Sequence, residues 1–477
     1  MRSKTVIHGI RWTLLTTILR RAISFVLFIF LAKWLSQADF GIYRSLSLIL
    51  VIVTYFSNWG LDYHYLISTH KSRINLFVLL QIGLLSALGL AFLLMLTGRG
   101  IGYLYHSEVL GNILVWSGGY VIIEALRRVF RANAQKLLYF RELAIAETLN
   151  VLTYSVLCIV LIFFIREVWL FILLFYIGNL AELLYLGFKL PALPKAWIRR
   201  SFCFSRLRRS LGMMQQNSHF LLSVTVTNLV QIYSSNAPVL FLGTMVEPAL
   251  MGIYFFATQL IAIPVGMLTT SISQVFFPIL AKGDASANLA GIRRYTSLVL
   301  KIGIPALFAY ALALQYLVPL IWNAKWLGSL PIIMYLVIFY GTSLLHHPIS
   351  GIPFICRKPL WELGWNIVTL ILRLAALAYG MREGYAYAVL LFCLVSAVMH
   401  LVFYFMSLQM LKANLKELTL YFLTHIPILL VFIGSSLYLQ KFSTFYPALI
   451  VIMYIVYLAV AERESVKETL QLLKLRG

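Results

Sequence analysis

Polar and basic side chains lie inside an apolar stretch near the start of the chain. The stretch RWTLLTTILRRAISFVLFIFLAK, residues 11–33, is long enough to cross a bilayer, yet it contains Arg20 and Arg21. Helical spacing of i, i+4, i+7 and i+11 places four polar residues on one face, namely Thr13, Thr17, Arg20 and Ser24. An arginine in a low-dielectric interior binds best to a phosphate, which accepts two of its hydrogen bonds. The stripe therefore predicts a site for an anion.

Three more basic residues fall within apolar stretches: Arg44, Lys301 and Arg373. Each such charge costs about 2.5–3.5 kcal/mol at mid-membrane, so five facing lipid would cost ~15 kcal/mol, as much as a whole domain's stability. Arg44 and Lys301 are near the predicted membrane faces, where reaching out to the interface is the alternative to a cavity. For the deeper Arg20, Arg21 and Arg373 we predict a water-filled cavity, with structural pairing as the alternative.

Arg373 ends a second polar stripe at the same spacing, which consists of Glu362, Asn366, Thr369 and Arg373. The acids Glu124, Glu147 and Glu182 lie within spans, and each is within about two turns of a predicted cytoplasmic base, respectively Arg127, Arg141 and Lys189. Interfacial ion pairs are the favoured interpretation of these acids. A site on Glu147 for a coupling H⁺ or Na⁺ is the alternative.

Composition fixes the class of protein that must position these residues. The chain of 477 residues is 61 % hydrophobic and only 12 % charged, with a mean hydropathy of +0.89. Its long apolar runs predict an all-α polytopic membrane protein rather than a barrel of alternating strands. The net charge of +23 is typical of basic cytoplasmic loops, so we do not expect nucleic acid as a partner. The four Cys and nine His show no spacing of a disulfide framework or metal site.

Hydropathy predicts fourteen spans, near residues 12–34, 41–60, 74–97, 109–127, 143–165, 168–188, 217–242, 252–275, 296–320, 329–349, 360–380, 384–408, 418–438 and 444–461. With both termini cytoplasmic, each outer loop contains at most one base, and the bases concerned are Lys33, Arg99, Arg166, Lys325, Arg382 and Lys441. Every cytoplasmic segment has at least two. Because a wrongly divided span would reverse this asymmetry downstream, the charges favour fourteen helices.

An internal repeat divides the spans into two sets of six. LAKWLSQADFGIYRSLSLI at 31–49 aligns with LGTMVEPALMGIYFFATQL at 242–260, an offset of 211 residues. The same offset places the first stripe on polar residues of the seventh span, matching Thr17, Arg20 and Ser24 with Asn228, Gln231 and Ser235. We therefore predict two pseudo-symmetric six-helix lobes around a cavity, related by an axis along the membrane normal.

The predicted domains follow from this division. Residues 1–188 form the N-lobe and 217–410 the C-lobe, joined by a basic cytoplasmic linker at 189–216. Residues 411–477 carry the last two spans and a short cytoplasmic tail. The linker is expected to lie on anionic lipid, and a regulatory role is the alternative.

Enzymatic chemistry has no visible basis in the sequence. The chain lacks a Walker A motif and any recognisable nucleophile–base–acid grouping. We predict that it is not an enzyme and that it needs no cofactor, while coupling to H⁺ or Na⁺ stays open.

The sequence resembles the MOP flippase superfamily, in the polysaccharide-transporter branch that includes the Wzx-type O-antigen flippases. The resemblance lies in FLAKWLSQADFGIYRSLSLIL at 30–50 and its repeat FLGTMVEPALMGIYFFATQLI at 241–261. SISQVFFPILAK at 271–282 and LVPLIWNAKWLGSLPIIMYLVIFY at 317–340 add to it. Members often have basic residues of the first span facing the lumen, as Arg20 and Arg21 would.

This resemblance implies a MATE-like fold and transfer of an undecaprenyl-diphosphate-linked oligosaccharide to the periplasmic leaflet of the bacterial inner membrane. It also implies a polysaccharide polymerase and a chain-length regulator as partners, in O-antigen or other lipopolysaccharide biosynthesis. We expect Arg20, Arg21 and Arg373, with Arg44 and Lys301, to bind the diphosphate. Asn228, Gln231, Thr17 and Ser24 suit the sugar hydroxyls.

Three alternatives remain open at this stage. A multidrug exporter of the same superfamily would carry cations, for which deep acids or aromatic faces are suited better than deep arginines. A lipid II-type flippase would differ only in its sugar. A scaffold or polymerase of the glycan pathway is the third, although a polymerase is expected to have a large periplasmic loop and every predicted outer loop here is short.

Overall fold

The computed structural model describes residues 2–67, 72–190, 204–282, 285–322, 324–356 and 358–411, and within these ranges the chain is helical without strands. The α-helices are α1 (Arg2–Trp34), α2 (Gln37–Phe56), α3 (Leu61–Ile67), α4 (Ser72–Leu104), α5 (Glu108–Trp116), α6 (Gly118–Lys136), α7 (Phe140–Leu161), α8 (Trp169–Lys189), α9 (Phe204–Gln216), α10 (Ser218–Ser235), α11 (Ala237–Leu242), α12 (Pro248–Lys282), α13 (Ala285–Leu298), α14 (Ile304–Trp322), α15 (Ser329–His346), α16 (Ile352–Ile355), α17 (Pro359–Gly380) and α18 (Tyr385–Met410). A π-helical turn, Val299–Gly303, joins α13 to α14.

Helices occupy each of the first twelve predicted spans, and the last two spans lie outside the described residues. In the described ranges nine segments are long and apolar enough to cross a membrane. The pair α5 and α6 makes a tenth if it forms one bent span. The predicted all-α polytopic membrane class is therefore confirmed, while the total of fourteen spans stays a prediction.

The fourth predicted span, 109–127, is bent by 50° where α5 meets α6. At this point the Ser117 hydroxyl donates a hydrogen bond to the Ile113 carbonyl at 2.7 Å, and Gly118 and Gly119 follow. Hydroxyl bonds to the preceding turn and small residues both favour bending of a helix. Because of this bend, α6 runs at an angle to α5. Most of the charges described below lie on α6.

The seventh predicted span, 217–242, is interrupted at Asn236, which separates α10 from α11 with φ −112° and ψ 17°. Its side chain donates to the Ile232 carbonyl at 2.9 Å, so the amide replaces part of the lost helical bonding. Pro238 follows and has no backbone N–H to continue the helix. The break is therefore specified locally, by the sequence Asn-Ala-Pro.

The chain divides into two compact units, residues 1–259 with 366–377, and residues 260–365 with 378–477. In the first unit α1 packs on α7, α7 packs on α8, and α6 packs on α8. These four helices hold the charged cluster. The lobe boundaries drawn from the spans are not tested by this division, and they stay a prediction.

The second half of the predicted basic linker forms α9, which packs on α4 within the first unit. Ser210 and Gln81 are both buried there, and the Ser210 hydroxyl donates to the Gln81 side-chain oxygen at 2.6 Å. Residues 191–203 of the linker lie outside the described residues. The described part is thus attached to the unit by a buried polar contact.

The two copies of the Gly-Ile-Tyr repeat contact each other where α2 crosses α12, inside the first unit. A methyl group added at Gly41 would overlap the carbonyl of Pro248, and one added at Gly252 would overlap the carbonyl of Gln37. Gln37 and Pro248, like Gly41 and Gly252, are separated by the repeat offset of 211 residues. The contact is therefore reciprocal, as a two-fold relation between the two copies requires.

Helix α2 enters this crossing at a fixed position because its first turn is capped. The Asp39 backbone N–H donates to the Ser36 hydroxyl at 3.1 Å, and the Ser36 backbone N–H donates to the Asp39 carboxylate at 3.0 Å. Such a reciprocal pair is a capping box, which satisfies two otherwise unpaired backbone donors. Gly41 comes two residues after Asp39, so the capped first turn fixes where α2 meets α12.

We predict that Gly41→Ala lowers the melting temperature of the detergent-purified protein, because the new methyl group must push α2 away from α12. Overpacking of this kind costs about 1–3 kcal/mol. Gly89→Ala on α4 is the matched control, since a methyl group there meets no atom within 4 Å. Equal thermal shifts for the two variants would contradict the close crossing.

Candidate functional site

Arg20 on α1 is held by three groups in the first unit. Its guanidinium donates to the Glu147 carboxylate on α7, to the Thr17 hydroxyl at 3.1 Å and to the Thr16 carbonyl at 3.3 Å. The Arg20 side chain is 19 % exposed. The sequence prediction that Arg20 and Thr17 share a face is confirmed by their hydrogen bond.

Glu147 connects Arg20 to a chain of ion pairs between α6, α7 and α8. Its second carboxylate oxygen lies 3.1 Å from Arg131, and Arg131 also pairs with Glu182. Glu182 in turn lies 2.9 Å from Arg127. The carboxylates alternate with guanidinium groups along this chain, so that each charge has opposite neighbours.

The other end of the network is formed within α6. Arg127 donates to both oxygens of Glu124, at 2.6 and 2.7 Å, and Arg128 donates to the same carboxylate at 3.1 Å. Glu124, Arg127, Arg128 and Arg131 follow the spacing i, i+3, i+4 and i+7, which places them along one helical stripe. The two arginines beside Glu124 are its counter-ions at this end.

Two amide side chains complete the hydrogen bonding of the buried acids. Asn150 donates to Glu182 and to Asn179, both at 2.8 Å, and Asn179 donates to Glu124 at 3.1 Å. Glu182 is fully buried and Glu124 is 5 % exposed in its side chain, whereas Glu147 is 16 % exposed. The interior acids are thus saturated with donors, and Glu147 is the most accessible of the three.

Four guanidinium groups face three carboxylates in this network, which leaves one positive charge in excess. Buried charges are tolerated only when paired and hydrogen-bonded, and removal of one partner costs about 3–5 kcal/mol. The network therefore fixes α1, α6, α7 and α8 together. It also gives this part of the first unit a net positive charge.

Ion pairing of the acids is as expected, but two of the three expected partners are wrong. Glu124 pairs with Arg127 as predicted. Glu147 and Glu182 pair with arginines on other helices rather than with the nearby Arg141 and Lys189. The prediction relied on proximity along the chain. The packing of the helices instead brings distant bases closer than the bases about two turns away in the same helix.

Sequence reasoning missed Arg128 and Arg131 as members of the site. The segment EALRRVFR carried a usable signal, since an acid and three arginines at helical spacing on one stripe must find partners when the helix is in a membrane. The polar Asn150 and Asn179, each inside an apolar run, gave a weaker signal of the same kind.

Arg44 and Arg373 lie at the break between α10 and α11. Arg44 on α2 donates to the Asn236 side-chain oxygen at 2.6 Å, and its guanidinium lies 5.4 Å from the ring centre of Phe255. Arg373 on α17 is 5 % exposed and donates to the carbonyl and the hydroxyl of Ser234, at 3.0 and 2.9 Å. Both arginines thus donate to neutral oxygens at an interrupted helix. For Arg373 this contact corresponds to structural pairing, the alternative to a water-filled cavity.

The remaining predicted site residues are placed as follows. Arg21 is half-buried on α1 and forms no hydrogen bond or ion pair with any residue that the structure describes. Ser24 and Gln231 are exposed, and Asn228 is half-buried on α10 near Tyr55. Lys301 lies in the second unit, half-buried in the π-helical turn. The structure therefore brings Thr17 and Arg20 into one cluster and places Lys301 in the other unit.

The family model described as polysaccharide biosynthesis protein matches residues 30–331, more than half of the chain. The chain belongs to this polysaccharide biosynthesis family. The matched region includes both copies of the Gly-Ile-Tyr repeat and the whole α6–α8 part of the charge network. Arg20 precedes the matched region in the sequence.

Two curated relatives cover most of the chain. The lipopolysaccharide biosynthesis protein WzxC of Escherichia coli (strain K12) is 22 % identical over 413 residues, which is 86 % of this chain and 82 % of WzxC. The teichuronic acid biosynthesis protein TuaB of Bacillus subtilis (strain 168) is 21 % identical over 418 residues, or 87 % and 84 %. This family member is accordingly a multi-pass bacterial membrane protein.

Two solved structures show the same fold. The lipid II flippase MurJ, in an inward closed conformation, superposes with a TM-score of 0.69 at 12 % identity, covering 95 % of this chain and 99 % of MurJ. An inward-facing multidrug resistance MATE family transporter of the MOP superfamily gives a TM-score of 0.59 at 12 % identity, covering 83 % and 96 %. The predicted polysaccharide branch is confirmed by the family model and the relatives, and the fold is the one that the MOP superfamily transporter has.

For this family member we predict that Glu182→Gln strongly destabilises the fold, because Arg127 and Arg131 both lose their shared counter-ion in a fully buried position. The expected loss is about 3–5 kcal/mol, seen as a lower melting temperature and less folded protein in size-exclusion chromatography. Glu108→Gln, an exposed acid at the start of α5, is the control and should behave as wild type. An unchanged melting temperature in Glu182→Gln would show that these ion pairs do not stabilise the fold.

Proposed function

We propose that this chain is a flippase that moves an anionic polyprenyl-diphosphate-linked oligosaccharide from the cytoplasmic to the periplasmic leaflet of the bacterial inner membrane. The carrier is of the undecaprenyl-diphosphate type, and the product serves polysaccharide or O-antigen biosynthesis. The observation that carries the proposal is a membrane-embedded cluster with one guanidinium in excess, in which Arg20 stays partly exposed. Such a cluster attracts a phosphate-bearing group and repels cations.

The proposed mechanism is alternating access between two six-helix lobes within fourteen transmembrane helices. Residues 1–188 and 217–410 form the lobes, the segment 189–216 links them on the cytoplasmic side, and 411–477 add two further helices. The polyprenyl tail stays in lipid while the diphosphate and sugars follow a polar path. Only the head group then needs an aqueous environment, so the lobes can move around it without exposing the tail to water.

Residues are assigned to the substrate by chemistry. Arg20 and Arg21 bind the diphosphate, because they adjoin each other on α1 and belong to or border the cationic cluster. Arg373, Arg44 and Lys301 supply further positive potential along the path. Thr17, Ser24, Asn228 and Gln231 offer hydroxyl and amide groups to the sugars. The chain works as a transporter and not as an enzyme, beside a polysaccharide polymerase and a chain-length regulator.

Two rival substrates make different predictions about what accumulates. A lipid II-type flippase would leave cell-wall precursor inside when the gene is deleted, whereas the proposed function leaves the lipid-linked repeat unit of a surface polysaccharide. A cation exporter would leave neither and would raise drug sensitivity instead. Mass spectrometry of the polyprenyl-linked lipids of a deletion strain, with a drug-susceptibility panel, separates the three.

We predict that Arg20→Ala lowers surface glycan roughly tenfold or more, because a charge-assisted hydrogen bond contributes about 1.5–3 kcal/mol. The measurement is a complementation assay in the deletion strain, with expression matched by immunoblot. Arg99→Ala removes the same charge from an exposed position on α4 and should leave the glycan unchanged. If Arg20→Ala also complements fully, the assignment of Arg20 to substrate binding is wrong.

The proposed topology has both termini in the cytoplasm and can be tested in a cysteine-free background. A cysteine at Arg166, between α7 and α8, should react with a membrane-impermeant maleimide added to intact cells. A cysteine at Lys189, at the end of α8, should react only after the membrane is permeabilised. The opposite labelling pattern would invert the proposed orientation.

A further inference from the structure

The ion pair between Arg20 and Glu147 differs from the other pairs of the network. It connects α1 to the cluster on α6, α7 and α8, whereas the remaining pairs lie within that cluster. Its two side chains are 19 % and 16 % exposed, less than Arg131 at 29 %, while Glu182 is fully buried. The pair is therefore partly accessible, and it can open without exposing Glu182.

Glu147 would stay neutralised if Arg20 left it. Each of its carboxylate oxygens faces a different arginine, with Oε2 toward Arg20 and Oε1 toward Arg131 at 3.1 Å. Arg131 is anchored in turn by Glu182. Departure of Arg20 therefore leaves no bare carboxylate, and the cost of an unpaired buried charge does not arise.

Arg20 could likewise exchange Glu147 for another anion while it keeps its hydrogen bonds to Thr16 and Thr17. Its Nη2 is held by the Thr17 hydroxyl at 3.1 Å and its Nε points to the Thr16 carbonyl at 3.3 Å, so the side chain is oriented from its own helix. Nη1 is the atom that Glu147 occupies. A phosphate oxygen at the position of the carboxylate oxygen would meet a guanidinium that is already aimed at it.

We propose that Glu147 is a built-in counter-anion that occupies Arg20 in the empty protein and is displaced by the phosphate of the substrate. This inference rests on the proposed function, since it requires an anionic substrate at Arg20. Each anion must displace the carboxylate first, so the apparent affinity of every anion for Arg20 falls by the same factor. Glu147 therefore sets a threshold, which a diphosphate passes and an anion that binds Arg20 weakly does not.

The test is calorimetric titration of the purified full-length protein with two probes that share a tail, farnesyl diphosphate and farnesoic acid. The wild type should bind the diphosphate and bind the carboxylate weakly. Glu147→Gln removes the competitor, so it should bind the diphosphate more tightly, on the order of tenfold or 1.4 kcal/mol. Farnesoic acid should gain by about the same factor, so that its weak binding becomes measurable.

Matched variants distinguish competition from a structural role. Arg20→Ala should weaken diphosphate binding, and the double variant with Glu147→Gln should bind no better than Arg20→Ala alone, because the competitor acts only through Arg20. Glu108→Gln is the control for removal of an acid and should leave both affinities unchanged. If Glu147→Gln does not fold, Glu147→Asp, which shortens the side chain and so lengthens the contact with Arg20 but keeps the charge, should show a smaller gain in the same direction.

The outcomes separate the two proposals. Weaker or unchanged diphosphate binding in Glu147→Gln, with Arg20→Ala still defective, means that Glu147 only positions Arg20, and the counter-anion proposal is overturned while the proposed function stands. The counter-anion proposal is also overturned if Glu147→Asp is used in place of Glu147→Gln and binds the diphosphate no more tightly than the wild type. No saturable binding of farnesyl diphosphate by the wild type, together with a silent Arg20→Ala, overturns both.

Discussion

The pairing of charges inside the membrane is the constraint on which the rest of the first unit depends. Seven ionised side chains from four helices, three acids and four arginines, are arranged so that none lacks an opposite neighbour. Lipid cannot solvate these groups, so the helices that carry them have no alternative but to pack together. Helix packing in a membrane gains little from the hydrophobic effect, because lipid tails are as apolar as the side chains. Polar contacts therefore specify which helices are neighbours.

The same network bears on how the proposed anion site could be stable among apolar helices. A lone guanidinium would be too costly, and a fully neutralised pair would have no affinity left for a ligand. One arginine in excess, beside an acid that has a second counter-ion, lies between these extremes. In the proposed function the cluster would stabilise the empty protein and still offer positive charge to a substrate. Stability and binding would then depend on the same side chains.

Composition and periodicity predicted the membrane class, the positions of the first twelve helical spans and the shared face of Thr17 and Arg20. These properties are local, because twenty apolar residues form a span whatever their neighbours are. The partners of Glu147 and Glu182 were not predictable in the same way. They depend on which helices pack together, and the nearest bases in the sequence, Arg141 and Lys189, are not the ones that the fold brings close. The arginine stripe of α6 was present in the sequence, but its meaning required the acids of two other helices.

Arg44 and Arg373 illustrate a second limit of sequence reasoning. A buried arginine predicts that an oxygen must be near, but it does not say whether that oxygen belongs to a ligand or to the protein. Here the oxygens come from Ser234 and Asn236, at a helix break that a Pro and an Asn specify. An interrupted helix exposes backbone carbonyls, and these are good acceptors for a guanidinium. The break and the two arginines are best understood as one structural unit.

The reciprocal contact of Gly41 and Gly252 has a consequence for how the protein can move. Because each glycine meets the carbonyl four residues before the other, the two contacts share one geometry and lie around one axis. Helices α2 and α12 cannot separate at one glycine while they stay joined at the other, unless a helix bends. Any movement that parts the two helices at this crossing must therefore break both contacts together. A duplicated sequence has in this way produced a symmetric pair of contacts, which no single copy of the motif could provide.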